Sequence, residues 1–214
     1  MGLVNTLLIC VLAVGVQVTA PAVEAGYTSL FNGTDLTGWK VGSPATTFKV
    51  VDGAIGANGN PGAAHLFYDG PFRNHTFRNF DLKLDVMAKT KSNGGVYVLT
   101  EYQESGFPAK GFEIQVNNSH TDHIRTGSLY HVVDLSYVLA KDDEWFPMEI
   151  MVKDQTITVT VKNLQVVQWT QPPDWTGSYD PSPGRRLNPG TIAFQAHDPN
   201  SFTYYKNIRI KPLD

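Results

Sequence analysis

The stretch GFEIQVNN, residues 111–118, sets a carboxylate and two amides at alternate positions: Glu113, Gln115 and Asn117. Alternate side chains of an extended strand share a face, so these three form one polar row while Ile114 and Val116 turn to a core. Such a row can be a catalytic floor, a sugar-reading surface, or the wet side of a sheet. Ordinary glycosidases need two carboxylates flanking the scissile bond, roughly 5–5.5 Å apart for retention or 6.5–9.5 Å for inversion. One acid and two amides do not supply that pair from this strand, although Asp122, Asp134 or Glu101 could come near it in the fold, so an ordinary retaining glycosidase is disfavoured.

Other residues could join the row. In GTIAFQAHD, alternation places Gln195 and His197 together, opposite Phe194 and Ala196. A histidine there suits proton transfer as well as it suits a structural role. His120-Thr-Asp-His123 sets two histidines three residues apart around Asp122, a spacing that can chelate a divalent metal in a loop, although composition alone often produces it. Tyr97, Tyr102 and Tyr130 are aromatic candidates for the same side. Trp175 lies beside Tyr179 in a Pro/Gly-rich stretch, where a ring can stack on a sugar, whereas Trp39, Trp145 and Trp169 are expected to pack into the core or cap sheet edges.

The elements that must position these groups read as strands. Residues 80–89, FDLKLDVMAK, alternate cleanly, with Phe80, Leu82, Leu84, Val86 and Ala88 on one side. FPMEIMVKD, TITVTVKNLQVVQW (two strands around Lys162-Asn163), GTIAFQAHD and FTYYKNIRIKPL follow the same rule. No window carries a helical stripe, and NG, DG, PG and NPG turns recur between the strands. Many short alternating strands predict an all-β fold, an antiparallel two-sheet jelly-roll sandwich. Residues 56–65 and 171–190 read as long loops, rich in Gly, Pro and Asn.

A chain of 214 residues with 42% hydrophobic content suffices for one well-buried domain, expected over 26–214. The net charge of −3 and the lack of a basic patch point away from nucleic acid and anionic membrane surfaces. Residues 1–25 have an apolar run, Leu7–Val16, and end in Val23-Glu24-Ala25, a small-x-small pattern. This is the pattern of a signal peptide cleaved near Ala25, and the run is too short for a membrane span. Cys10, the one cysteine, lies inside it, so the mature domain would have neither disulfide nor thiolate chemistry. A secreted or periplasmic bacterial protein is expected.

Read in order, YTSLFNGTDLTGW (27–39), NFDLKLDV, SNGGVYV (92–98), GFEIQVNN, TGSLYHV (126–132), EWFPMEI (144–150) and GTIAFQAHDPNSFTYYKNIRIKPL (190–213) resemble the 3-keto-disaccharide hydrolase domain family. The resemblance spans nearly all of the mature chain and implies a concanavalin A-like jelly roll. The chain departs from the family in three places. The usual Asn-Ser-Gly followed by Arg is here Asn93-Gly94-Gly95-Val96-Tyr97-Val98-Leu99, without the Arg; a Trp-Asn pair is Trp145-Phe146; and an Asn-Gly hairpin is Asn163-Leu164. Arg185 or Arg186, from the 171–190 loop, could replace the missing arginine.

The resemblance implies cleavage of 3-keto-glycosides, a chemistry for which one acid suffices. A ketone at carbon 3 acidifies the hydrogen at carbon 2, so a base can remove it and expel the glycosidic oxygen; water then adds back. This requires one general base and groups that stabilise the enolate oxygen. Glu113 is then expected as base or acid with His197 as its partner. Gln115 and Asn93 would orient the substrate, and Tyr97, Asn117, Tyr130, Gln195, Trp175 and Arg185 would bind it. A divalent metal at His120, Asp122 and His123 is a further expectation. A sugar 3-dehydrogenase would supply the substrate, and a homo-oligomer is open because flat jelly-roll faces commonly pair. The competing readings are a non-catalytic, lectin-like carbohydrate-binding module and a structural envelope domain.

Overall fold

The structure, a computed structural model, describes residues 24–177 and 184–214. All but the last two residues of the expected leader, and Tyr179 with its neighbours, lie outside the described residues. Strands run in chain order as β1 (Thr28–Ser29), β2 (Trp39–Val41), β3 (Phe48–Val51), β4 (Ala54–Asn58), β5 (Ala64–Tyr68), β6 (Phe80–Ala88), β7 (Gly94–Thr100), β8 (Phe112–Val116), β9 (Phe146–Lys153), β10 (Thr156–Val161), β11 (Leu164–Thr170), β12 (Thr191–Ala196) and β13 (Phe202–Pro212). Two antiparallel sheets stack as a sandwich. The larger is ordered β11-β10-β9-β6-β13-β4-β3 with β1 beside β13, and the smaller is β2-β5-β12-β7-β8.

Alternation explains the larger sheet directly. β6 buries every second residue, from Phe80 to Ala88, and β9 does the same with Phe146, Met148, Ile150 and Val152. Their buried faces meet the inner face of the smaller sheet, where Val96, Val98, Phe112, Ile114, Val116 and Phe194 point. Stacked aromatic rings bridge the two layers: Phe194 lies against Tyr205, ring centroids 4.2 Å apart, and against Trp39 at 5.2 Å. Trp39 is buried and donates its indole N–H to the Leu30 carbonyl, whereas Trp145 sits outside under the Lys206 ammonium. Among the described residues no helix is long and apolar enough to cross a membrane.

Residues 56–65 are not one loop. The ends of β4 and β5 occupy most of the segment, leaving a turn over 59–63. Its small residues allow close packing rather than preventing strand formation: a Cβ on Gly56 would stand 3.2 Å from the Tyr204 ring. A second close approach fixes the entry to β8. Gly111 has φ +79°, and a Cβ there would lie 2.2 Å from the Val98 carbonyl oxygen, so only glycine lets the chain turn back against β7.

Candidate active site

The smaller sheet turns its outer face into a cleft whose floor follows from the register. Glu113 on β8 pairs with Tyr97 on β7, then come Ala193 on β12 and Phe67 on β5. The next row holds Gln115, Gly95, Gln195 and His65. Alternation continues the pattern to Asn93 and His197 just past the strand ends. This face is not wet: Glu113 is 5% exposed and Gln115 and Gln195 are 1% each. Reading the row as a solvated sheet face is therefore excluded.

Three loops roof the floor. Phe107, from the β7–β8 connection, sets its ring edge-on to His65 at 5.9 Å and near His197 at 5.5 Å. Residues 128–130 lie along the free edge of β8, where the Tyr130 N–H donates to the Glu113 carbonyl at 3.0 Å. Arg185, from the strap before β12, donates from Nη1 to the Tyr130 carbonyl at 2.8 Å.

Glu113 is the centre of this arrangement. Tyr97 donates its hydroxyl proton to Glu113 Oε2 at 2.8 Å, and Gln195 Nε2 donates to the Tyr97 oxygen at 3.2 Å. Burial pushes the Glu113 carboxyl up from 4.5 to about 7, while the Tyr97 hydrogen bond and the Arg185 charge pull the other way. Burial and the neighbouring carboxylate hold the Tyr97 phenol well above its ordinary range, so it stays a donor. The carboxylate lies over Gly95, where a Cβ would meet Glu113 Oε1 at 2.4 Å. From the opposite sheet the buried Tyr205 hydroxyl donates to the Gly95 carbonyl at 3.3 Å.

On the same face several buried polar atoms lack a hydrogen-bond partner: Gln115 Oε1, Gln195 Oε1 and Asn93 Oδ1, together with His65 Nε2. Buried polar atoms are rarely left so, and a cluster of acceptors on one floor suits a ligand rich in hydroxyl donors. His65 was not anticipated from the sequence, although AHLFY carries the pattern that finds it, since alternation puts His65 with Phe67. Burial, with the nearby His197 charge, pushes its imidazole down to about 3, so it is neutral at any working pH. Phe107 was also missed, because its loop shows no period.

The structure moves several anticipated residues. His197 does not pair with Glu113: it stands past the end of β12, about 16 Å away by strand spacing, with Nδ1 3.5 Å from Asp198. Tyr97 is the direct partner instead. Asn117 does not face the cleft. Its amide is spent on the 117–126 loop, donating to the Asp122 and Ile124 carbonyls and accepting from the His120 N–H and Arg125 Nη1. Trp175 is half-buried, with its ring edge-on to Trp169 at 5.0 Å and its indole N–H donated to the Arg185 carbonyl at 2.8 Å. It thereby positions Arg185, whose charge reaches Glu113. Arg186 turns away to the Trp175 carbonyl. Tyr130 keeps to the cleft edge, its hydroxyl 3.4 Å from Asp122 Oδ2, and its phenol is pushed up to about 12 by burial and that carboxylate.

His120, Asp122 and His123 do not converge. His120 Nδ1 accepts from the Asp122 N–H at 3.1 Å and its Nε2 lies 2.9 Å from Asp198, so both ring nitrogens are engaged. The His123 side chain is 89% exposed. Among the described residues no three His, Cys, Asp or Glu side chains gather as a metal ion requires.

A 3-keto-disaccharide hydrolase of Bacteroides thetaiotaomicron is 26% identical over 238 aligned residues, covering 91% of this chain and 81% of that one. A solved structure of a candidate glycosyl hydrolase from Parabacteroides distasonis superposes with a TM-score of 0.72 at 22% identity, covering 88% of this chain and 94% of the other. The carbohydrate-binding module CBM66 of Bacillus subtilis shares the sandwich at a TM-score of 0.56 and 10% identity, over 81% and 95% of the two chains. The model of the 3-keto-alpha-glucoside-1,2-lyase-like domain matches residues 26–211, and the chain belongs to that family.

Proposed function

We propose that this protein cleaves 3-keto-glycosides by elimination across carbons 1 and 2 followed by hydration, with Glu113 as the base. The observation that carries this reading is a buried carboxyl held near neutrality and hydrogen-bonded to Tyr97, whose own row holds no second acid, the Asp122 charge reaching it only from the neighbouring loop. A base is most effective when its pKa lies near the working pH. Glu113 takes the proton from carbon 2 as the electron pair forms the carbon 1–carbon 2 double bond and the carbon 1–oxygen bond breaks. The departing oxygen takes the proton back from Glu113. Water then adds its hydroxyl to carbon 1 while carbon 2 regains a proton, so the sum is hydrolysis. Gln115, Gln195 and neutral His65 are the groups left to bind the ring's hydroxyls and ketone, and Tyr97 holds the carboxylate in place. An elimination between carbons 1 and 2 also fits the 1,2-lyase description of the family.

A sugar-binding module without turnover would use the same unpartnered acceptors and need no base. The two readings separate in one experiment. The domain from Gly26 onward is incubated with 3-keto-disaccharides and their unoxidised parents, as wild type and as Glu113→Gln. Release of sugar from the keto forms alone, lost in Glu113→Gln with sugar binding retained, supports the lyase. Binding without release by either protein supports the module. The leader-like segment supports export, which we include in the proposal. A substrate oxidised at carbon 3 requires a sugar 3-dehydrogenase upstream.

A further inference from the structure

Beside the Glu113 floor, on the same side of the smaller sheet, lies a cleft of about 410 Å³. It shares the Phe67 ring with the apolar patch that Tyr97 and Ala193 form, and Tyr102 lines it, edge-on to Phe67 at 5.3 Å. Its floor is the end of β7. Thr100 is 1% exposed, lines the cleft, and has a hydroxyl oxygen with no protein hydrogen-bond partner. The rim carries Asp69 and Glu101 against Lys40 and Lys110, with Lys110 paired to Glu101 at 2.6 Å. Balanced charge of this kind does not select an ion. It provides acceptors and donors together, which is what a neutral polyol uses.

We propose that this cleft is a second sugar subsite, holding the unoxidised unit on the leaving-group side of the bond that Glu113 breaks. Spacing allows it. Thr100 is three residues along β7 from Tyr97, the residue opposite Glu113, so the floor lies about 10 Å from the carboxylate, within the span of a disaccharide. The volume falls in the range of small-ligand sites. Thr100 supplies the polar contact that the protein itself leaves unmade, and the Glu101–Lys110 pair ties together the two ends of the loop that carries Phe107. Occupancy of the cleft would thus fix that roof over the ring that carries the carbon 3 ketone. The inference rests on the proposed reaction for its assignment to a leaving unit, but not for the existence of a sugar site.

The test compares wild type with Thr100→Val and Lys110→Met, using a 3-keto-disaccharide, methyl 3-keto-glucoside, and calorimetric titration with the unoxidised disaccharide and with glucose. Val is nearly isosteric with Thr, and removing a hydroxyl that has no protein partner leaves the melting temperature unchanged or higher. The expected result is a KM for the disaccharide raised about tenfold, a factor equal to one lost hydrogen bond of about 1.4 kcal/mol, with kcat kept and the methyl glycoside unaffected. Equal changes for both substrates, or none, overturn the subsite while leaving the lyase reading intact. If wild type cleaves neither substrate the lyase reading falls, and the titrations decide: disaccharide binding weakened in the variants supports the subsite, and binding that is absent or unaltered overturns it.

Discussion

Glu113 illustrates the tension between chemistry and stability at a single residue. Its carboxyl ionises at 4.5 when exposed and at about 7 in the fold, so the folded state holds a proton that the unfolded chain releases. Stability from this group is therefore full below pH 4.5 and is lost as pH rises through 7. Glu113→Gln keeps an acceptor for the Tyr97 hydroxyl and cannot ionise. We expect it to match wild type in thermal stability at pH 4 and to exceed it at pH 8 by up to about 3 kcal/mol, while activity falls at least 10²-fold. Equal stability at both pH values would mean that the carboxyl is not buried as described. For wild type, kcat/KM should rise with pH through an acid limb near 7, where the base loses its proton. Arg185→Met removes a cation that lowers the Glu113 pKa, so that limb should move to higher pH. A limb that stays put would detach Arg185 from the site. The sequence made Glu113 and Gln115 legible through their spacing alone. The near-neutral carboxyl was not legible, because it depends on loops distant in sequence that roof the strand.

At the scale of elements, β7 and β8 form the device that presents the base. Gly95 lacks a side chain where Glu113 must lie, and Gly111 allows the turn into β8. Gly95→Ala should displace the carboxylate, costing about 1–3 kcal/mol of stability and roughly a hundredfold in activity. Assays of both quantities check this; a fully active Gly95→Ala protein would place Glu113 elsewhere. The long strands β6, β9, β10 and β13 could be read from the sequence because each buries alternate residues over most of its length, and β11 from the Lys162-Asn163 turn before it. β4 and β5 could not, since both their faces are covered and their Gly and Ala residues imitate a loop. Asn117 was misplaced for a related reason: alternation carried the polar row one residue past the end of β8, where the chain has already turned into the loop the amide ties down. The partnership of His197 with Glu113 failed on distance, which residue types do not reveal.

For the whole molecule, the sandwich separates two tasks. The larger sheet and the shared core give a rigid base, and the smaller sheet offers its outer face to a ligand under three loops. That division was partly visible beforehand, because the ordered motifs from YTSLFNG to KPL identified the fold better than any strand did. What the motifs could not convey is that the charge of Arg185, on the strap before β12, reaches Glu113 while the Trp175 indole N–H holds the Arg185 backbone. Held by Tyr97 and within reach of the Arg185 charge, the carboxylate shares its face with unsatisfied acceptors, a combination that suits a ligand rich in hydroxyl donors.

The most direct measurement is cleavage of a 3-keto-disaccharide by the wild-type domain in D₂O, with the released keto sugar analysed by mass spectrometry and proton NMR after correction for enzyme-free exchange. Removal of the carbon 2 proton by Glu113 followed by hydration predicts one deuterium at carbon 2 of the product. Release of keto sugar with its carbon 2 hydrogen retained would contradict the elimination and assign Glu113 a different role.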